Sequence, residues 1–177
     1  MTASKFIEEL KSQIPSNDIL VKKKISASTV ERSIDPVKNL NTQSGIVLTG
    51  NVVIELLSKY DLSKVEIGMV GFSKAVTEDE SFYYIGSVEV DLLVINKYSG
   101  IIQVLEYDQP KHTLWDCAHN CPAFLEALLI CKGYFWECLL DDVVYNDDVR
   151  RSATVEQCAY IAGGEAYYDF YAMLLGL

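Results

Sequence analysis

The chain has 177 residues, half of them hydrophobic and 11% aromatic, so it can bury a core without staples and reads as a single domain over 1–177. Fifteen Lys and Arg stand against twenty-five Asp and Glu, a net charge of −10 with a pI near 4.6, which argues against nucleic acid as a partner because phosphate binding needs a basic surface. No run long and apolar enough for a membrane span occurs, and "MTASKFIEELKSQIPS" carries charge where a signal peptide is apolar. A soluble, cytoplasmic protein without membrane contact is expected.

"ASKFIEELKSQI" sets Phe6, Ile7, Leu10 and Ile14 on one helical stripe, and Pro15 ends it. Residues 16–44 are polar and read as a long connection with at most one short strand around Ile19–Val21. Residues 1–45 thus form an N-terminal helix plus connection, and 46–177 the core. The lysines of "VKKK" are read as a solvated patch. "GIVLTGNV" has the glycine spacing of a phosphate loop, but Asn51 stands where lysine is needed and Val52 where Ser or Thr would hold a metal, so it is rejected.

Val52, Val53, Leu56, Leu57 and Tyr60 recur at helical spacing, with Thr49 or Asn51 as the cap. A short strand and an exposed acidic turn follow in "VEIGMVGFSKAVTEDE". Strands are then predicted in "SFYYIG", "VEVDLLVIN" and "IIQVLEY", with Val88, Val90, Leu92 and Val94 on one face of the middle one. "NKYSG" ends in Gly100, which can take the positive φ of a hairpin loop, so an antiparallel hairpin is expected. "PAFLEALLICKGYFWECLL" is helical by period, the aspartates at 141, 142, 147 and 148 mark a loop, and the tail reads as a helix broken at Gly163–Gly164. Tyr167, Phe170, Tyr171 and Leu174 share one stripe of that tail.

Four of the five cysteines fall between Thr113 and Cys138. A metal set drawn from Cys117, His119, Cys121, Cys131 and His112 lacks the paired spacing of structural zinc sites. Cys131 and Cys138 lie instead on the helical stripe Phe124, Leu128, Cys131, Phe135, Cys138, where seven residues separate them by roughly 10 Å along the axis, too far for a disulfide. Catalysis by Cys117 or Cys121 with His119 as base competes with a simpler explanation. Asn120-Cys121-Pro122 is a helix start, with asparagine as cap and proline in the first turn. The sequence makes no positive case for an enzyme, a metal or a cofactor.

From Tyr84 to Leu139, the order "YIG", "VEVDLLVINKYSGIIQVLEYD" and "WDCAHNCPAFLEALL" resembles the SUKH superfamily (Smi1/Knr4-like), particularly its bacterial immunity-protein branch. Gly100 matches the turn glycine, Asn120 the asparagine of the helix start, and Phe124, Leu125 and Leu128 the helix pattern; Cys121-Pro122 replaces the usual small hydroxyl residues. The resemblance implies an α+β fold, a twisted antiparallel β-sheet with helices packed around it. It also implies a non-catalytic protein that binds and neutralises a cognate toxin domain, a nuclease or deaminase of a polymorphic toxin. Alternatives are a Smi1/Knr4-like regulatory or scaffolding module, and a thiol- or zinc-dependent enzyme centred on Cys117, His119 and Cys121.

Acid is concentrated locally: residues 106–149 hold nine Asp and Glu, two Lys and no Arg. An acidic face steers a basic partner, and aromatics flanked by charge make good interface anchors. The candidate partner-binding residues are therefore Glu106, Asp108, Trp115, Asp116, Asp141, Asp142, Tyr145, Asp147 and Asp148, with Tyr107 beside them.

Overall fold

The computed structural model describes residues 1–42 and 50–177. The expected alternative cap Thr49 and most of the glycine-spaced "GIVLTGNV" stretch lie outside them. Helix α1 (Ala3–Ser12) starts at Thr2, whose hydroxyl accepts from the Lys5 amide at 3.2 Å, and buries Ala3, Phe6, Ile7 and Leu10. Ile14 falls just beyond its last turn and is half-buried.

Within the expected connection, residues 16–42 depart from expectation. Ser16 caps a short helix, α2 (Asn17–Lys22), and Ser26 caps a second, α3 (Ala27–Thr29), which runs through a π-helical turn (Val30–Ile34) into α4 (Asp35–Lys38). No strand forms at Ile19–Val21. Ser16 and Ser26 are helix starts, and Pro36 sits in the first turn of α4, directly after the π-helical turn. Leu20 and Ile34 anchor this region by packing with Trp136 in a small second cluster.

Helix α5 (Val52–Lys59) is capped by Asn51, whose side-chain oxygen accepts from the Val53 and Ile54 amides at 3.1 and 3.3 Å. It buries Val52, Val53, Leu56 and Leu57. A six-stranded sheet follows, antiparallel throughout and in sequence order: β1 (Glu66–Ile67), β2 (Val70–Glu78), β3 (Phe82–Val88), β4 (Asp91–Asn96), β5 (Ile102–Leu105) and β6 (Thr113–Ala118). The fold is α+β, as expected, with helices packed against the sheet. No helix among the described residues is long and apolar enough to cross a membrane.

The β4–β5 hairpin forms as anticipated, with Gly100 at φ +75° in its loop. "VEVDLLVIN" is not one strand. Val88 ends β3, Glu89 and Val90 make a tight turn with Glu89 at φ +53°, and Val88 pairs with Asp91 at the start of β4. Val90 is consequently exposed, and Leu93 and Ile95 join the main core. Apolar residues occupy both faces of "LLVI", so alternation could not select the inward one, and the turn carries no Gly, Pro or Asn to announce it. At the other end of β3, the acidic turn is organised by Asp79, which accepts from the Ser81 and Phe82 amides and from the Tyr84 hydroxyl.

Helix α6 (Cys121–Leu140) is the central element. Asn120 caps it, accepting from the Ala123 amide at 2.9 Å, and Pro122 lies in its first turn. Instead of one buried stripe, it presents apolar residues on every side: Phe124, Leu125, Leu128 and Cys131, but also Ala127, Leu129, Tyr134 and Trp136. It packs against α1, α5, β1 and β6, and against α8 (Asp148–Ala162), which returns alongside it. The acidic loop expected at 141–148 contains a further helical turn, α7 (Asp142–Tyr145). The tail does break at Gly163 and Gly164, both at positive φ, before a 3-10 turn (Glu165–Tyr167) and α9 (Tyr168–Leu175). Tyr167, Phe170, Tyr171 and Leu174 are all buried in the main core, as their stripe predicted.

Candidate functional site

The acidic residues fall into two groups with different structural employment. The first surrounds the β5–β6 hairpin, where Glu106 follows β5 and sits 3.0 Å from His112 Nδ1. Asp116 pairs across the ladder with Gln103 and accepts from its amide at 2.7 Å; Gln103 in turn accepts from Asn96. Trp115 is half-buried and packs against the main core. Asp108 and Tyr107 project from the loop, and the Tyr107 amide donates to Asp91.

The second group caps the far end of the α6–α8 pair. Asp141 accepts from the Val143 amide and starts α7, while Asp147 accepts from the Arg150 amide and starts α8. Asp148 pairs with Arg151, which also donates to the Tyr145 carbonyl at 2.7 Å. Arg150 makes a bidentate pair with Glu137 near the end of α6. The two arginines are thus committed to neighbouring acids and to the backbone. Asp142 engages through its backbone carbonyl, which accepts from Asn146, and leaves its carboxylate in solvent.

Between these acids lie exposed apolar side chains. Val143, Tyr145 and Val149 are 76%, 60% and 81% exposed, and a shallow depression there is lined by Asp142, Val143, Asn146, Asp147, Asp148 and Val149. The two valines lie outside the candidate set above, and their sequence signal is "DDVVYNDDV", apolar residues set among aspartates. Exposed apolar side chains rimmed by charge are the usual composition of a protein-binding surface. No hydrogen bond or ion pair joins this tip to the Glu106–Asp116 group among the described residues.

The cysteine segment is arranged differently. Cys117 is fully buried, its carbonyl accepts from the Tyr171 hydroxyl at 2.9 Å, and burial pushes its thiol well above the ordinary range. Cys121 is raised by burial too, partly offset by contacts with Asn51 and the Val53 amide in the first turn of α5. His119 Nδ1 lies 2.6 Å from the Ala162 carbonyl, so it donates there and ties the start of α6 to the end of α8. No hydrogen bond connects either histidine to a cysteine among the described residues. Within those residues, no three His, Cys, Asp or Glu side chains converge in a metal-binding arrangement.

Comparison with models of protein families, with curated proteins and with solved structures gives no match for this chain.

Proposed function

We propose that the chain is a protein-binding domain that engages a basic partner through the tip formed by α7 and the start of α8. One observation carries this: Val143, Tyr145 and Val149 stand exposed among four aspartates, while both nearby arginines are engaged. Such a surface combines long-range attraction for positive charge with apolar anchors that bury on contact. The SUKH resemblance gives the partner its finer description, a cognate toxin domain of nuclease or deaminase type, whose substrate-binding cleft is basic. In support, the residues that carry the resemblance have defined structural work: Gly100 turns the β4–β5 hairpin, Asn120 caps α6, and Phe124, Leu125 and Leu128 are completely buried.

The test pairs Asp142→Lys with Tyr145→Ala, both at exposed side chains. Protection of cells against the toxin domain, and affinity for it in vitro, should fall by about tenfold or more with the circular dichroism spectrum unchanged. Unchanged affinity at both low and high salt would remove this surface from the interface.

A further inference from the structure

We infer that Cys131 and Cys158 form an oxidisable dithiol that closes to a disulfide joining α6 to α8. Their sulfurs lie 3.6 Å apart and both residues are fully buried. Cys158 donates to the Ala127 carbonyl at 3.7 Å, which leaves Cys131 as the donor in the sulfur–sulfur contact. Among the described residues, no other pair of cysteine sulfurs makes such a contact. Closing the gap to a bond of about 2.05 Å requires an approach of about 1.5 Å.

The two helices are already registered at both ends. The Glu137–Arg150 pair fixes one end, and the His119–Ala162 hydrogen bond fixes the other. Cys131 and Cys158 meet between these ties, so the cross-link preserves the existing alignment. It would enclose the whole acidic tip within one ring running from 131 to 158, and it forms whatever partner the tip takes.

The oxidant is a low-molecular-weight disulfide. One cysteine thiolate attacks it, forming a mixed disulfide and expelling one small thiolate. The second cysteine thiolate attacks the protein sulfur of that adduct, the Cys131–Cys158 bond forms, and a second small thiolate leaves. The two thiol protons pass to the released thiolates, so the protein loses two electrons and one small disulfide becomes two thiols. Contact with Cys158 and burial hold the Cys131 thiol well above its usual range. The reaction therefore waits on local separation of α6 and α8.

The experiment incubates the full chain with oxidised glutathione at pH 8, with and without urea below the unfolding transition, then denatures it, alkylates free thiols and records the mass. The expected result is a fall from five alkylated cysteines to three, with peptides containing Cys131 and Cys158 linked and urea accelerating the loss. The thermal midpoint should rise by about 5 °C or more. Cys131→Ser and Cys158→Ser should each form no link between the two peptides, the cysteine that remains of the pair staying a free thiol or holding one unresolved glutathione. Five free thiols at equilibrium in urea, glutathione adducts that never resolve, or a bond mapping to another pair would each overturn the inference.

Discussion

Lys132 lies in the core, 6% exposed, with its ammonium donating to the Glu66 carbonyl at 3.0 Å and sitting 4.5 Å over the Trp136 ring. Burial lowers its pKa to about 8. In the unfolded chain the amine titrates near 10.5. Below pH 8 both states are protonated and the full cost of burying the charge stands. Between about pH 8 and 10.5 the unfolded state holds a proton that the folded state has released, so this group's contribution to stability improves as pH rises. Lys132→Met should therefore be more stable than the parent at pH 7, by about 1–2 kcal/mol, and that advantage should shrink toward pH 10. Urea denaturation of both proteins across this range measures the difference directly, and cancels the opposite trend from Tyr171 and Cys117, whose pKa values are raised by burial. An advantage that grows with pH would contradict the assignment. Nothing in the sequence singles Lys132 out from the other lysines, because its burial follows from the all-round packing of α6.

The strands depend on two unusual backbone sites. A Cβ on Gly86 would lie 2.1 Å from the Gly71 carbonyl oxygen on the neighbouring strand, at an irregularity in the β3–β4 register. Backbone cannot yield there as a side chain can, so Gly86→Ala should destabilise the fold by at least about 2–3 kcal/mol in denaturant titration. Glu89, by contrast, is a side-chain-bearing residue at positive φ in the β3–β4 turn. Glu89→Gly should raise the thermal midpoint, by an amount corresponding to roughly 1 kcal/mol or less, because it relieves steric strain. A lowered midpoint would show that the Glu89 side chain contributes more than its conformation costs. At this scale, legibility followed local signals. The start of α6 could be read from Asn120 and Pro122, and the β4–β5 loop from Gly100, since each acts on its immediate neighbours. The helices at 17–38 and the turn at Glu89–Val90 could not be resolved in the same way. The helices are held by contacts with distant residues, such as Leu20 and Ile34 against Trp136, and the turn carries no Gly, Pro or Asn.

Across the whole molecule, charge is unevenly shared. Residues 1–65 carry nine Lys and Arg against seven acids, whereas 119–177 carry three against nine. The concentration of acid was legible in the sequence, but its division into two groups was not, because that depends on where α6 and the β5–β6 hairpin end in space. Asp116 and Glu106 proved to be engaged within the hairpin, and the exposed valines completed the other group. The most direct test of partner binding through that tip is affinity capture from native cells, comparing the wild-type chain with an Asp142→Lys, Val143→Ser, Tyr145→Ser variant, followed by mass spectrometry. The wild type should retain a protein with a basic domain that elutes as salt is raised, and the correctly folded variant should lose it. Equal retention of the same partner by both proteins would place the interface elsewhere and contradict the account.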